Sequence, residues 1–199
     1  MAERRQSLPQ LLREVRACEI CAPHLPLGPR PVLQVARGAA IAIVGQAPGT
    51  KVHESGKPWD DASGDHLREW LGIDTDCFYD PKRIAHLPMG FCYPGKKAGG
   101  DAPPRPECAP QWHTRVRERM PKLQLTLLCG MYAHRYYLGT DRKKTLGATV
   151  QAWREYWPDL LPLPHPSWRS RLWIEKNPWF KTQLLPVLRR RVRELVGPA

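Results

Sequence analysis

The sequence has no long hydrophobic run and no apolar leader. No stretch approaches the roughly 18 consecutive apolar residues that cross a bilayer. The opening MAERRQSLPQ also lacks the apolar core of a secretory signal. These absences argue against a membrane protein, and we expect a cytoplasmic one. The 199 residues are long enough to enclose a sizeable core, so we expect a single domain over positions 1–199.

Acidic side chains are also scarce. Asp and Glu number 19 against 31 Lys and Arg, which gives a formal net charge of +12. This excess favours a polyanionic partner such as nucleic acid. The densest basic run falls in an apparent C-terminal helix, where a solvated helix face explains it better than a specific phosphate site does. Its members are Arg189, Arg190, Arg191 and Arg193.

Cysteine occurs six times, and in a reducing compartment metal ligands or buried small side chains explain it better than disulfides. Four of the six could converge on one metal centre, namely Cys18, Cys21, Cys92 and Cys108. Thiolates bind both zinc and iron–sulfur clusters, so the ligand type leaves both open. Cys77 and Cys129 lack a partner motif, and we interpret both as structural.

Apolar runs alternate with helical patterns along the chain. Strands are predicted at residues 41–44, 83–87, 123–129 and 160–163. Helices are predicted from Ser7 to just before Cys18, over HLREWLG up to Gly72, and near residues 107–119, 131–138, 145–156 and 178–196. Loops are predicted over TKVHESGKPWDDASGD and from Tyr93 to Pro110. The alternation indicates an α/β fold, a three-layer αβα sandwich around a central, mainly parallel four-stranded sheet.

Two of the predicted strands run into polar or glycine-rich segments. IAIV is followed by GQAPG, and LLPL is followed by PHPSWR. Ligands bind at the carboxyl edge of open α/β sheets, so Gln46 and the backbone amides beside it are expected to face a substrate. His165 can donate a hydrogen bond to a ligand oxygen, and Ser167 and Arg169 can hold phosphates. Taken singly, each segment could equally be an ordinary loop.

Together these features resemble the uracil-DNA glycosylase superfamily. The shared pattern is a GQAPG turn after the first strand, an aromatic residue ten positions further on, four spaced cysteines and an HPS motif after the last strand. The sequence is similar in particular to the iron–sulfur bacterial and archaeal branches, whose first motif reads GEAPG or GLAPA and whose second begins with HP. The likeness extends from about Cys18 to Phe180, and the order and spacing of the motifs are specific.

The resemblance implies roles in flipping a base out of the DNA duplex and in cleaving the bond between that base and its sugar. Trp59 would stack on the flipped base, and His165 would hydrogen-bond uracil O2 as the glycosidic bond breaks. Ser167 would contact a backbone phosphate, while Trp168 and Arg169 would act as a wedge in the base stack. The floor of the base pocket would be Gly45, Gln46, Ala47, Pro48 and Gly49. A [4Fe-4S] cluster, or zinc as the alternative, would be held by Cys18, Cys21, Cys92 and Cys108.

The first motif departs from its relatives. Several of them carry a water-activating Asp or Asn at the third position or a Glu at the second, where this chain has Ala47 and Gln46. An amide is not a general base, so Gln46 is expected to orient a water or bind the base. Asp61 is then expected to act as the general base that takes a proton from water, because the GLAPA branch uses an Asp at about this place. Asp60 and Asp65 are alternatives, and either could instead cap the following helix.

The segment IAHLPMGFC is the second departure. Many relatives carry here an Asn that reads the uracil edge, whereas this segment has no Asn, and His86, Pro88 or Met89 falls nearby. The sequence therefore leaves open whether the excised base is uracil or another deaminated or damaged base. The basic PGKKAGG loop is expected to lie against DNA, or else simply to span the cluster.

Three functions fit these patterns. The first is a monomeric DNA glycosylase that hydrolyses uracil, or a related deaminated base, from DNA for base excision repair. The second is a non-catalytic or weakly active DNA-binding member of the same fold, which Gln46 and Ala47 favour. The third is a zinc-stabilised α/β enzyme acting on nucleotides.

Overall fold

The computed structural model describes residues 6–197, so the ends of the expected domain, 1–5 and 198–199, lie outside the described residues. The strands in this part are β1 (Ile41–Val44), β2 (Ile84–His86), β3 (Lys96–Lys97), β4 (Gly100–Asp101), β5 (Leu125–Cys129) and β6 (Leu160–Leu163). Four of them form an all-parallel sheet in the order β2–β1–β5–β6. The other two pair as an antiparallel hairpin.

Helices pack around the sheet. In the described chain the α-helices are α1 (Leu8–Arg16), α2 (Thr50–Ser55), α3 (Ala62–Leu71), α4 (Thr75–Tyr79), α5 (Cys108–Arg117), α6 (Met131–Leu138), α7 (Leu146–Gln151), α8 (Arg171–Lys176) and α9 (Leu185–Val196). Each of them is too short or too polar to cross a membrane.

Side chains of β1 alternate between two cores, and this alternation produces the three layers. Ile41 and Ile43 pack in a cluster with apolar side chains of α3, α4 and α9. Ala42 points the other way and packs with side chains of α1 and α5. Successive residues of a strand point to opposite faces, so a strand buried on both faces reads as a continuous apolar run. The predicted three-layer α/β fold is confirmed.

The signals for helix ends were also read correctly. Ser7 caps α1 in a capping box with Gln10, in which each side chain bonds the other residue's backbone N–H. Gly72 ends α3 with a φ of 67°, the left-handed conformation that glycine adopts without a steric penalty. The sequence therefore predicts where α3 stops.

Several loops and helix spans differ from the prediction. Thr50–Ser55 is helical (α2), and the segment from Tyr93 to Pro110 contains the β3–β4 hairpin and the first turn of α5. Gly99 has a φ of 87° and allows the hairpin to turn within two residues. The helix expected at 145–156 ends at Gln151 and is followed by a short 3₁₀ turn. The helix expected at 178–196 begins as a π-helical turn before Pro186, which has no N–H to donate.

The isolated cysteines and part of the basic run serve the core. Cys77 and Cys129 are buried in the cluster that lies against α3 and α9, as expected of structural residues. Arg189 does not simply face solvent, because its guanidinium bonds the carbonyls of Glu69 and Trp70 at the end of α3. Such bonds satisfy carbonyls that the helix leaves free, so Arg189 fastens α9 to α3.

Candidate active site

A cleft of about 550 Å³ opens where β1, β5 and β6 end. The parallel strands bring both polar segments to this edge, as expected for an α/β sheet. All the predicted substrate-site and catalytic residues line the cleft, namely Gly45, Gln46, Ala47, Pro48, Gly49, Trp59, Asp61, His165, Ser167, Trp168 and Arg169. Residues that are more than a hundred positions apart in the chain thus line the same cleft.

Hydrogen bonds to the loop after β2 fix the GQAPG turn in place. The carbonyl oxygen of Gly45 accepts from the N–H of Met89 at 2.9 Å, and that of Gln46 accepts from Gly90 at 3.0 Å. The side chain of Gln46 turns away from the strand, and its Nε2 donates to the carbonyl of Ala102 at 3.1 Å. In the structure Gln46 therefore ties the turn to the segment that follows the hairpin.

Trp59 is held by contacts that only glycine permits. Its backbone has a φ of 59°, a strained value for a bulky residue. A Cβ at Gly45 would lie 2.6 Å from Cζ2 of the indole, and a Cβ at Gly64 would lie 1.9 Å from the Trp59 carbonyl oxygen. The hydroxyl of Tyr79 donates to the same oxygen at 3.4 Å. The indole is thus packed flush on the GQAPG turn.

Substituting Gly64 with alanine should displace Trp59. The new methyl group overlaps backbone that has no room to move, and we expect a loss of about 1–3 kcal/mol in the free energy of unfolding, measured by urea denaturation. Glu69→Ala, on the exposed side of the same helix, is the matched control and should change stability little. If Gly64→Ala is as stable as Glu69→Ala, the described position of Trp59 is wrong.

Asp61 begins α3. Its Oδ1 accepts from the N–H of Gly64 at 3.0 Å, so the N-cap of α3 is Asp61, not Asp60 or Asp65, for which capping was the alternative role. Neither alternative lines the cleft, and Asp65 forms an ion pair with Arg68 instead. Asp61 is therefore the carboxylate of the WDDASGD segment that faces the cleft, with one oxygen already engaged.

His165 lies directly after β6 in a tightly fixed loop. Its carbonyl accepts from Oγ of Ser170 at 2.6 Å, and the next carbonyl, of Pro166, lies 3.1 Å from Nδ1 of His66 on α3. Gly130 packs against the imidazole, since a Cβ there would lie 3.4 Å from Cβ of His165. The ring is thereby aimed into the cleft.

The charge state of His165 follows from its surroundings. Burial lowers its pKa, the nearby Arg169 adds to the shift, and the Asp61 carboxylate opposes it. Because the pKa is below 6.5, the ring is neutral at pH 7 and carries one N–H to donate. Its ring centre lies 5.9 Å from that of Trp59. A flat ligand on Trp59 would therefore lie within reach of the imidazole.

The HPSWR loop also places charge and apolar surface at the mouth of the cleft. Trp168 is 74% exposed, which is unusual for so large an apolar side chain. The guanidinium of Arg169 lies 5.4 Å from the Trp168 ring centre and donates to the carbonyl of Gly99 in the hairpin. Ser167 lies beside them as the N-cap of a short 3₁₀ turn.

The residues after β2 give no amide to the cleft. His86 is fully buried, with Nε2 2.9 Å from the carbonyl of Phe78, and burial lowers its pKa to about 4. Met89 is buried as well, and only Pro88 of the three expected positions lines the cleft. The carbonyl of Pro88 is already hydrogen-bonded by His113 at 3.0 Å. The base-reading Asn of many relatives has no polar replacement here.

Asp101 is the cleft residue that sequence reasoning missed. It lies on β4, lines the cleft and approaches the GQAPG turn, where a Cβ at Gly49 would lie 3.2 Å from its Oδ2. Partial burial raises the pKa of its carboxyl. The available signal was the pattern KKAGGD, in which Gly99 and Gly100 can close a hairpin and turn the next residue back.

A second cavity is lined by Cys18, Cys21, Cys92 and Cys108. The N–H of Phe91 donates to Sγ of Cys108 at 3.3 Å, which is how proteins stabilise a thiolate. Burial, with the neighbouring cysteines adding to it, raises the pKa of Cys92 to about 11 and that of Cys108 to about 12. Partly buried thiols grouped in one apolar cavity are suited to a metal centre, which would hold them as thiolates.

The donor set bears on the kind of metal centre. Across residues 6–197, no three His, Cys, Asp or Glu side chains converge as ligands of a single ion. The four cysteines instead surround a common space, and they come from the end of α1, the loop after β2 and the start of α5. All of these thiols are free of disulfides. The residues present are therefore four free thiols around one cavity, a donor set of the kind that metal centres use.

Comparison with known families agrees with the geometry of the cleft. A family model described as the Uracil DNA glycosylase superfamily matches residues 34–189, well over half of the chain. The match includes both strand-end segments, the hairpin, Cys92 and Cys108, and it leaves Cys18 and Cys21 outside. The chain belongs to the uracil DNA glycosylase superfamily.

Proposed function

We propose that the protein is a DNA glycosylase that hydrolyses the N-glycosidic bond of uracil, or of a related deaminated base, and leaves an abasic site. One observation carries the proposal: the GQAPG turn, Trp59 and His165 line one cleft at the carboxyl edge of the sheet. Family membership supports glycosylase chemistry in general. We further propose that the protein acts as a monomer.

His165 is the proposed donor to the leaving group. Breaking the glycosidic bond places negative charge on the base, and a fixed N–H aimed at uracil O2 stabilises that charge more than it stabilises the neutral substrate. A neutral imidazole suits this task, and the burial that lowers its pKa keeps it neutral. Backbone amides of the GQAPG turn are the other candidate donors. Asp61, close to His165, would steady positive charge on the sugar.

The rest of the cleft suits a flipped base. An enzyme that acts on a base must first extrude it from the duplex, at a cost of a few kcal/mol. Trp59 offers a flat surface for the extruded base, and the exposed Trp168 is a wedge for the gap that it leaves. Ser167 and Arg169 would hold the flanking phosphates.

Binding to DNA should depend steeply on salt. Neutralised phosphates release counterions, and with roughly four such contacts the affinity should fall about a hundredfold between 50 and 200 mM salt. Arg169→Ala should weaken binding and reduce the slope by about one, as measured by fluorescence anisotropy. Arg13→Ala, which removes an equal charge from the exposed face of α1, is the control and should keep the slope. An unchanged slope for Arg169→Ala would show that this side chain touches no phosphate.

For the cysteine cavity we propose a [4Fe-4S] cluster, with zinc as the alternative. Cys18, Cys21, Cys92 and Cys108 would be the ligands, and the grouping of their thiols around one cavity supports a shared metal centre. When bound, the cluster would supply cross-links between three segments of the chain. No step of base excision needs it.

A DNA-binding protein without turnover is the second candidate, and the first motif is what favours it. Neither Gln46 nor Ala47 can take a proton from water, and the amide of Gln46 is engaged with Ala102. The accepted base also stays open between uracil and a related deaminated base, because no amide side chain of the IAHLPMGFC segment lines the cleft.

A strand-scission assay separates the two candidates. End-labelled DNA with a single uracil, single- and double-stranded, is incubated with excess protein and then treated with alkali to cut abasic sites. We expect cutting only at the uracil, and none in the same DNA with thymine there. Parallel substrates with hypoxanthine or xanthine define the accepted bases. DNA that is bound but uncut for all bases would favour the second candidate.

A further inference from the structure

We propose that Asp101, carried into the cleft by the β3–β4 hairpin, is the catalytic residue that takes the proton from the attacking water. The inference rests on the proposed glycosylase function and deepens it. The GQAPG turn has no carboxylate of its own, and Asp101 lies against that turn from a separate segment.

The position of Asp101 is set by Gly49. A Cβ at Gly49 would lie 3.2 Å from Oδ2 of Asp101, so any larger side chain there would press on the carboxylate. Asp101 thus lines the cleft beside Gly49, whose lack of a side chain leaves space for the carboxylate. Asp101 is exposed, and among residues 6–197 burial and charged neighbours, with no hydrogen bond, shift the pKa of its carboxyl. The carboxylate is therefore accessible to a water molecule. Asp61, by contrast, has Oδ1 committed to the N–H of Gly64.

Two contacts pin the hairpin over the cleft. Nε2 of Gln46 donates to the carbonyl of Ala102, the residue after Asp101, at 3.1 Å. The guanidinium of Arg169 donates to the carbonyl of Gly99, and a Cβ at Gly100 would lie 2.9 Å from its Nη1. Gln46 therefore has a use in this arrangement, because it positions the carboxylate that the first motif lacks.

The charges around Asp101 suit a general base. Partial burial raises the pKa of its carboxyl, and so does the Asp61 carboxylate. Lys96, the residue paired with Asp101 across the hairpin, and Arg169 lower the pKa. The balance is a carboxyl with a raised pKa, which accepts a proton better than an unperturbed Asp does.

Base excision breaks one bond and forms one. The bond between C1′ and the base nitrogen breaks, its electron pair leaves with the base, and His165 hydrogen-bonds the base oxygen. Water oxygen forms a new bond to C1′, and one water proton passes to the Asp101 carboxylate. The second water hydrogen stays on the new hydroxyl group. Asp101 then releases its proton to solvent, and the base anion is protonated on release.

The test is the pH dependence of single-turnover uracil excision by the whole chain. For the parent protein we expect the rate to fall at low pH as Asp101 becomes protonated. Asp101→Asn should lower the plateau by about a hundredfold or more and remove the low-pH fall, with DNA binding unchanged or slightly tighter. Asp76→Asn, an exposed carboxylate on α4 outside the cleft, is the matched control and should behave as the parent.

Lys96→Gln provides a second readout, the pH at which the excision rate falls. This pH would not change if the hairpin had only a structural role. The cation lowers the pKa of Asp101, so its removal should shift the low-pH fall to higher pH. The inference is overturned if Asp101→Asn excises at the parental rate or keeps the low-pH fall, which would then belong to His165. If the parent itself releases no base from any of the substrates, the proposed function fails, and the role of Asp101 fails with it.

Discussion

Replacing His165 with alanine is expected to slow single-turnover excision of uracil by roughly a hundredfold or more, the usual effect of removing one fixed donor to a developing anion. The imidazole is neutral, partly buried and held by its own loop, so it needs no rearrangement as charge appears on the base. Rates are measured with protein in excess of labelled DNA, which isolates excision from product release.

Gln46→Ala is the comparison for this variant. Its amide holds the segment after Asp101 and makes no charge-stabilising contact that the account requires, so a smaller loss is expected. Asp61→Asn should fall between the two, since Asp61 faces His165 while capping α3. DNA affinity is measured separately for each. If His165→Ala excises at the parental rate while Gln46→Ala is inactive, the roles given to the two strand-end segments are wrong.

Cys108→Ser is expected to cost the protein its metal and much of its stability together. Protein purified without oxygen should contain roughly four irons per chain and absorb in the visible range. Cys108 begins α5 and accepts a bond from Phe91, so loss of its ligand bond would free α5 from the loop after β2. Metal binding that occurs only in the folded state adds directly to folding stability. Iron content and thermal unfolding are the measurements.

Cys77→Ala is the control for the cluster. Cys77 is a buried core cysteine outside the cavity, and its loss should reduce stability modestly while leaving the iron content unchanged. Stoichiometric zinc without iron in the parent protein would rule out the [4Fe-4S] proposal and leave the zinc alternative.

The sheet could be predicted from the sequence because its strands are short, continuous apolar runs. The predictions for residues 41–44 and 160–163 match the observed strands. A strand that is buried on both faces has apolar side chains at successive positions, and turn residues mark where each run ends. The cleft followed from the sheet, because parallel strands deliver GQAPG and HPSWR to the same edge. Ser7 and Gly72 could be predicted as helix ends because each acts locally, Ser7 through its capping hydrogen bond and Gly72 through its left-handed backbone conformation.

The hairpin was not readable in the same way. A two-residue strand has almost no pattern, and the Pro- and Gly-rich segment from Tyr93 to Pro110 matches a loop equally well. Its position over the cleft depends on bonds to Gln46 and Arg169, which are distant in the chain. For this reason Asp101 could not be placed in the cleft from the sequence. Asp61, the residue that the sequence predicts for proton transfer, lines the cleft and caps α3, and its catalytic role stays a prediction.

Release of the free base tests directly whether the cleft breaks the glycosidic bond of uracil in DNA. DNA carrying one uracil is incubated with the purified protein, and the small-molecule fraction is analysed by mass spectrometry, with His165→Ala run in parallel. We expect free uracil in amounts equal to the abasic sites formed, and at least a hundredfold less in the same time from His165→Ala. Equal release by both proteins, or abasic sites without free base, would contradict the claim that this cleft breaks the glycosidic bond.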